Sequence, residues 1–249
     1  MPFYEPVQKA RAFRRMTRYD QIKWDDFREV VNAFHGRIDD WYLLPTKELI
    51  KHKEGGHYVF AIMALNCLLI DTLSQFYFGN DLSPRERKDP KNKATNPIGG
   101  GTLESSGAKF KDFMSERTPH LTGLLPTPII QPASSKKSKR KALETFEDVL
   151  WTGFRCGILH QAHIPLYGVL YGIPGVFEVC ENGVTTYSAD GTDCPTVICF
   201  PQKLFDELET AFIKYLDDLL NPDAPFDVLR RRFKAKFEDS FGVTINTSI

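Results

Sequence analysis

An arginine and a histidine, Arg155 and His160, are separated by four residues in the stretch WTGFRCGILHQAH, which runs from Trp151 to His163. Histidine can accept or release a proton near neutral pH, because its ordinary pKa is about 6.5. The guanidinium of arginine is a permanent planar cation, which can hold a phosphate and stabilise the negative charge that develops on it. RNA carries its own nucleophile, the 2′-hydroxyl, so neither a metal ion nor a protein nucleophile is obligatory. The pair therefore predicts a site that cleaves RNA, with Arg155 and His160 as its catalytic residues.

The residues around this pair have the pattern of a helix over 142–163, which Pro165 ends. Apolar residues recur there at spacings of three or four, at Leu143, Phe146, Leu150, Phe154 and Ile158. A step of five residues along an α-helix turns the side chain by about 140°, so Arg155 and His160 do not lie on one face. Because the arginine side chain is long, its guanidinium can swing back, and both groups can then border one groove.

A purely structural interpretation competes with the catalytic one. An arginine and a histidine at this spacing occur together often by chance. Arg155 would then form an ion pair with Glu147 or Asp148, and His160 would cap the end of the helix. The spacing alone does not establish a catalytic role, and the elements around the pair have to support it.

The chain is predicted to be a single, mainly helical domain over residues 1–249. Helices are predicted at residues 18–35, 41–51, 58–78, 108–116, 201–220 and 226–241. The helix 58–78 is apolar on nearly every face and ends at Gly79, which is typical of the central helix of a bundle. It carries Asn66 and Asp71, which need partners where they are buried. Hydrogen bonds in the core are the first expectation for both residues, ahead of a catalytic role.

Residues 80–142 depart from this helical pattern. They are rich in proline, contain a run of three glycines, and are interpreted as a partly flexible insertion around one short helix. The insertion ends in a basic run, which is ordinarily a solvated loop but beside an RNA-cutting site could contact phosphates. The candidate substrate-binding residues in this run are Lys136, Lys137, Lys139, Arg140 and Lys141.

A small β appendage is predicted over residues 174–200. The segments 176–180 and 184–188 flank an Asn-Gly pair, Asn182 and Gly183, which is typical of a β-hairpin turn. Residues 196–200 form a third short strand in this prediction. The expected fold class is therefore mainly α, a helical bundle with a small β-hairpin or three-stranded appendage and a long inserted loop region.

The composition excludes several classes of protein. The 32 basic and 32 acidic residues give a net charge of zero, so global basicity does not drive binding to nucleic acid or membranes. The N-terminal residues lack the apolar core of a secretion signal. The longest apolar run, Val59 to Ile70, is shorter than the roughly 20 residues that a membrane span needs. A cytoplasmic protein with free thiols and without a membrane partner is expected.

The R-x4-H motif formed by Arg155 and His160, close to the end of a helix in a mainly helical chain, resembles the motif of the HEPN superfamily. The predicted helices in residues 20–80 and 108–220 are similar to the HEPN bundle. The resemblance implies a metal-independent endoribonuclease without a cofactor, in which two copies of the motif face each other across a homodimer. It also implies cleavage that leaves a 2′,3′-cyclic phosphate. Many members act in phage defence or toxin–antitoxin systems, so an antitoxin or a defence-system protein is an expected partner.

One residue departs from the family pattern. The residue after the motif arginine is often Asn, Asp or His in HEPN proteins, whereas here it is Cys156. A thiol is a poor substitute for an amide in orienting a phosphate. This departure favours the alternative function, a non-catalytic HEPN-like interaction or regulatory protein.

Two other chemistries remain open for the same helix. Cys156, His160 and His163 share one helical face and could bind a metal, with a fourth ligand from Cys180, Cys194 or Cys199. Cys156 could also be a nucleophile activated by His160, although no third residue that would orient the histidine is apparent. The spacings match no familiar zinc signature, and the metal-independent interpretation is preferred.

Overall fold

The computed structural model describes residues 12–52, 58–88, 103–130, 142–164, 168–170, 177–180, 186–187, 193–194 and 196–246. Within these ranges the protein is mainly helical with small β-sheets, which confirms the predicted fold class. The α-helices are α1 (Phe27–Ile38), α2 (Leu44–Lys51), α3 (Val59–Phe78), α4 (Pro84–Lys88), α5 (Leu103–Arg117), α6 (Phe146–Val149), α7 (Cys156–Gln161), α8 (Pro201–Leu220) and α9 (Asp227–Phe241). Two π-helical segments, π1 (Asp39–Leu43) and π2 (Leu150–Arg155), precede α2 and α7. Short 3-10 turns cover Tyr19–Gln21, Pro119–Leu121 and Ala224–Phe226.

The strands form four small sheets among the described residues. They are β1 (Ala12–Arg14), β2 (Thr17–Arg18), β3 (Leu124–Ile130), β4 (Ala142–Thr145), β5 (Gly168–Leu170), β6 (Phe177–Cys180), β7 (Thr186–Tyr187), β8 (Asp193–Cys194) and β9 (Thr196–Cys199). The pairs β1–β2, β3–β4 and β7–β8 are antiparallel. The fourth sheet has three strands, in which β9 lies between the parallel β5 and the antiparallel β6.

Helix α3 is the centre of the bundle, as its sequence predicts. It packs against α5, α8, α9 and π2, so that other helices cover most of its sides. Its length and hydropathy would suffice to cross a membrane, but half of its most apolar stretch is buried inside the fold. The polar Asn66 is fully buried, and its side-chain amide donates a hydrogen bond of 2.7 Å to the carbonyl oxygen of Pro201 at the start of α8. The expected core hydrogen bond of Asn66 is therefore confirmed.

Aromatic side chains lock α3 to α1 and α9. The rings of Phe34 on α1 and Phe76 on α3 lie 4.5 Å apart between centroids. Phe233 on α9 contacts Phe34 edge-on at 5.2 Å and Phe237 at 5.2 Å. Aromatic pairs in such geometries contribute about 0.5–1.5 kcal/mol beyond the apolar area that they bury. This cluster fixes the end of α3 that lies beyond Asp71.

The prediction of one helix over residues 142–163 is wrong at its start. Residues 142–145 form strand β4, in which Leu143 is buried and Glu144 is exposed, as the alternation of a strand requires. Leu143 pairs with Ile129 of β3. The side chain of Thr145 accepts a hydrogen bond from the backbone amide of Asp148, which caps α6 and starts the helical segment at Phe146.

The predicted pairing in the β appendage is also wrong. Phe177–Cys180 pairs with Thr196–Cys199, and Thr186–Tyr187 pairs with Asp193–Cys194, so the two segments that flank Asn182 and Gly183 do not pair with each other. The third predicted strand is present as β9, and its Val197 and Cys199 are buried in the core. An apolar strand of this kind is a better partner for the apolar β6 than the polar Thr186–Tyr187. The Asn-Gly pair itself lies outside the described residues.

We predict that Gly79→Ala lowers the free energy of unfolding by at least about 2 kcal/mol, as measured by urea denaturation. Gly79 ends α3 with a φ of +56°, and a Cβ atom there would lie 2.4 Å from the backbone oxygen of Arg232. Gly123→Ala is the matched control, because Gly123 has a φ of +133° but open space around the added atom. Equal losses in the two variants would contradict the close approach of α3 to α9.

Candidate functional site

The motif residues lie in a helical segment that changes its winding between them. Thr145 caps α6, which continues through the π-helical π2 into α7, and Arg155 is the last residue of π2. π-helical turns within helices are frequent at functional sites. His160 lies in the last turn of α7 and is exposed. Ala162 ends the helix in the left-handed conformation, with a φ of 52°.

Arg155 contacts both His160 and an acid from α3. One terminal nitrogen of its guanidinium lies 2.8 Å from Nε2 of His160. The other donates a hydrogen bond of 2.6 Å to Oδ2 of Asp71. The guanidinium also lies over the ring of Trp151, 4.6 Å from its centroid, where a cation–π attraction holds it. The side chains of Arg155 and His160 are therefore in contact, as the length of the arginine side chain allows.

The ion pair with Asp71 keeps Arg155 charged in a half-buried position. The side chains of Arg155 and Asp71 are 12% and 20% exposed. Burial by itself lowers the pKa of Arg155, but the hydrogen bond and the negative charge of Asp71 outweigh it and raise the pKa above its ordinary value. The guanidinium is therefore a permanent cation with a fixed orientation.

The contact between Arg155 and His160 defines the protonation of the histidine ring. A guanidinium has only donors, so Nε2 of His160 has to accept this hydrogen bond. This hydrogen bond therefore requires the tautomer of His160 that carries its hydrogen on Nδ1. Protonation of Nε2 would place two donors against each other and break the contact. The site thus combines a fixed cation with a nitrogen lone pair that can accept a proton.

Two polar atoms of the site have no hydrogen-bond partner among the described residues. These are Oδ1 of Asp71 and Nε of Arg155, and both are buried. Unpaired buried polar atoms cost about 1–3 kcal/mol each, and they cluster where a ligand or a catalytic function compensates for them. Their position beside the Arg155–His160 contact supports a functional role for this corner of the fold.

Helix α5, which belongs to the predicted insertion, contacts Trp151 beside the site. The ring of Phe110 on α5 contacts Trp151 edge-on at 5.2 Å. Gly107, also on α5, lies so close that a Cβ atom there would be 2.7 Å from the Trp151 ring. Trp151 is therefore held between α5 and the guanidinium of Arg155. The described part of residues 80–142 is thus packed against the core and positions the site.

The purely structural interpretation of the motif pairs Arg155 with Glu147 or Asp148, but both of these acids have other partners. Glu147 forms an ion pair of 2.9 Å with Arg85, and Asp148 forms one of 2.9 Å with Lys111. The predicted pairing of Arg155 with Glu147 or Asp148 is therefore wrong. Its partner is Asp71, 84 residues earlier in the chain. The sequence signal for this partner is an acid within an otherwise apolar helix.

The other candidate residues fall into two groups. Lys136, Lys137, Lys139, Arg140 and Lys141 lie outside the described residues, so phosphate contact by the basic run stays a prediction. For the zinc alternative, the ranges that the structure describes contain no group of three or more His, Cys, Asp or Glu side chains that could hold a metal ion.

The cysteine alternatives gain no support from the contacts observed. Cys199 is buried against Met63, and the side chains of Cys180 and Cys194 lie outside the described part of the chain. Nε2 of His160 has Arg155 as its hydrogen-bond partner rather than Cys156. A cysteine nucleophile would need one ring nitrogen of His160 within hydrogen-bond reach of the Cys156 thiol.

Comparison with known proteins adds no relative to this picture. No family model, no curated protein and no solved structure matches the chain at a significant level. The functional argument therefore uses the geometry of Asp71, Arg155 and His160 and the helices that hold them.

We predict that Asp148→Asn reduces the loss of stability in acid. Burial raises the pKa of Asp148, but the hydrogen bond and charge of Lys111 outweigh it, and the net pKa lies below the ordinary value. Such a group stabilises the fold above its unfolded pKa of about 3.9, and this stabilisation is lost as the pH falls through the folded pKa.

The free energy of unfolding of the wild type and of Asp148→Asn is measured by urea denaturation at several pH values between 6 and 2. We expect the variant to be less stable than the wild type at pH 6 by about 1–2 kcal/mol, with the difference shrinking at low pH. The exposed Asp25→Asn is the control and should leave the pH profile unchanged. Parallel profiles of wild type and Asp148→Asn would contradict the ion pair with Lys111.

Proposed function

We propose that this protein is a metal-independent endoribonuclease of the HEPN type. The observation that carries the proposal is the 2.8 Å contact between the guanidinium of Arg155 and Nε2 of His160 at the exposed end of α7. It brings a permanent cation and a proton acceptor to one place that a phosphate of RNA can reach. The motif lies at the end of a helical segment that packs against the central helix α3 of a mainly helical fold.

The reaction follows from the two side chains. The scissile phosphate displaces Nε2 of His160 from the terminal nitrogen of Arg155 that it contacts in the structure, and Arg155 then holds the phosphate through that nitrogen. The 2′-oxygen attacks phosphorus while His160 accepts the proton of the 2′-hydroxyl, and the bond from phosphorus to the 5′-oxygen breaks. The leaving 5′-oxygen takes a proton from a second donor, the His160 of another copy of the chain, which has to enter the step as the protonated imidazolium. The products are a 2′,3′-cyclic phosphate and a 5′-hydroxyl.

The biological setting forms part of the same proposal. A homodimer would place two Arg155–His160 pairs in one composite cleft, and the basic run Lys136 to Lys141 would guide the RNA towards it. The protein would act in the cytoplasm, in phage defence or in a toxin–antitoxin system, with an antitoxin or another defence protein as partner.

We predict that Arg155→Ala and His160→Ala each lower the rate of RNA cleavage by about 10²–10⁴-fold, because each removes one of the two groups that act on the phosphate. The assay uses a fluorescent single-stranded RNA, with the 2′-deoxy analogue as an uncleavable control. Chelation of metals should leave the rate unchanged.

His163→Ala is the matched control for these variants. His163 is exposed and follows His160 by three residues, but its backbone amide only closes the end of α7. We expect it to retain the wild-type rate. Cleavage by Arg155→Ala and His160→Ala at the wild-type rate would refute the mechanism.

A second candidate is a non-catalytic interaction protein with the same fold. The observation in its favour is that both terminal nitrogens of Arg155 already have protein partners, Asp71 and His160. Cys156 in place of the usual polar residue points the same way. Absence of RNA cleavage by the wild-type homodimer, with no toxicity on expression, would favour this function.

We predict that a composite site needs both copies of the chain. The test is to co-express the wild type with an Arg155→Ala/His160→Ala double variant under different tags, and to purify the mixed dimer. In a composite site the mixed dimer should cleave RNA about as slowly as the double variant. A mixed dimer with half of the wild-type rate would show two independent sites instead.

A further inference from the structure

Asp71 belongs to the site but not to the R-x4-H motif. It lies on α3, one helix away from Arg155, and its Oδ2 accepts a hydrogen bond of 2.6 Å from the guanidinium. Its other oxygen, Oδ1, is buried and has no hydrogen-bond partner among the described residues. The carboxylate thus carries a negative charge next to the cation that is proposed to hold the phosphate. An anion that binds Arg155 has to tolerate this charge.

The charges of the three side chains determine which anion fits. Arg155 contributes one positive charge, Asp71 one negative charge, and His160 none while its Nε2 accepts the hydrogen bond from Arg155. The nearest charges therefore sum to zero before an anion binds. A phosphodiester adds one negative charge, whereas a terminal phosphate monoester adds about 1.5–2 near neutral pH, because its second pKa is about 6. The second negative charge of the monoester is repelled by the carboxylate of Asp71, which lies on the same guanidinium.

The geometry adds to this discrimination. Asp71 occupies one terminal nitrogen of the guanidinium, and Trp151 covers its face. The edge that remains is the one against His160. A bidentate grip on a dianionic phosphate uses either both terminal nitrogens or Nε together with the terminal nitrogen that Asp71 holds, so Asp71 blocks both arrangements. A phosphodiester can instead place one oxygen on the terminal nitrogen that faces His160, in place of the Arg155–His160 contact, and its neighbouring 2′-hydroxyl on His160.

We propose that Asp71 is a specificity-determining residue, which makes the site select the monoanionic phosphodiester inside an RNA chain over the dianionic phosphate at its end. The inference rests on the proposed function, since it assumes that Arg155 and His160 receive a phosphate. It goes further by assigning a substrate preference to a residue outside the motif. The site is then suited to cleavage within a chain and resists occupation by terminal phosphates.

The test compares two uncleavable ligands that share base and sugar. Thymidylyl-(3′→5′)-thymidine is a monoanionic diester, and thymidine 3′-phosphate is a dianion at pH 8. Their dissociation constants are measured by calorimetry with the wild-type protein and with Asp71→Asn, which keeps an oxygen that can accept the hydrogen bond from Arg155. We expect the wild type to prefer the diester and Asp71→Asn to shift the ratio of the two constants towards the monoester by about tenfold.

Two further variants make the comparison specific. Asp218→Asn removes the acid of another half-buried ion pair, in which Arg117 lies 2.7 Å from Asp218, and it should leave the ratio unchanged. Asp71→Ser is a second neutral variant, which should shift the ratio in the same direction as Asp71→Asn. If Asp71→Asn does not fold, the ratio of the two dissociation constants measured with Asp71→Ser is the test.

The outcomes separate this inference from the proposed function. Binding of both ligands to the wild type with a ratio that neither Asp71 variant changes would overturn the role of Asp71 and leave the phosphate site in place. Failure of the wild type to bind either ligand would overturn the proposed function and, with it, this inference. A shift in the Asp71 variants but not in Asp218→Asn supports both.

Discussion

A helix that is apolar on nearly every side has to be covered on most of its sides, and Val59–Phe78 imposes this requirement on the rest of the chain. Helices α5, α8 and α9 and the π2 segment meet it by packing around α3. Its few polar side chains then need partners from the covering elements. Asn66 obtains one from the first turn of α8, and Asp71 obtains Arg155 from the end of π2. The position of Arg155 is therefore a consequence of how the central helix is buried.

The sequence was sufficient to predict elements with a long and regular apolar period. The helices 59–78, 201–220 and 227–241 lie within one residue of their predicted bounds, because their burial follows from local spacing. Local spacing failed at residues 142–145, where Leu143 suits a helix as well as a strand. Pairing with β3 decided that conformation, and this contact is made by residues distant in sequence. The strand pairing predicted for the β appendage was wrong for the same reason, because β6 pairs with β9.

The candidate site shows the same division between local and tertiary information. Arg155 and His160 could be found from residue types and spacing, because both lie on one helical segment. Asp71 could be recognised only as an acid in need of a partner, since the contact joins residues 84 positions apart. Trp151 and Gly107 gave no chemical signal in the sequence. Their role comes from the close packing of α5 against the ring of Trp151, over which the guanidinium of Arg155 lies.

The two helices that carry the site differ in local stability. Asp71 lies in the middle of α3, between the fully buried Ile70 and Leu73, so its backbone belongs to the core of the bundle. His160 lies one residue before the end of a six-residue helix and is exposed. Local unfolding of that last turn costs far less than unfolding of the core. The imidazole can therefore leave the contact and return at a lower free-energy cost than Asp71, while Arg155 stays anchored to α3 through the carboxylate.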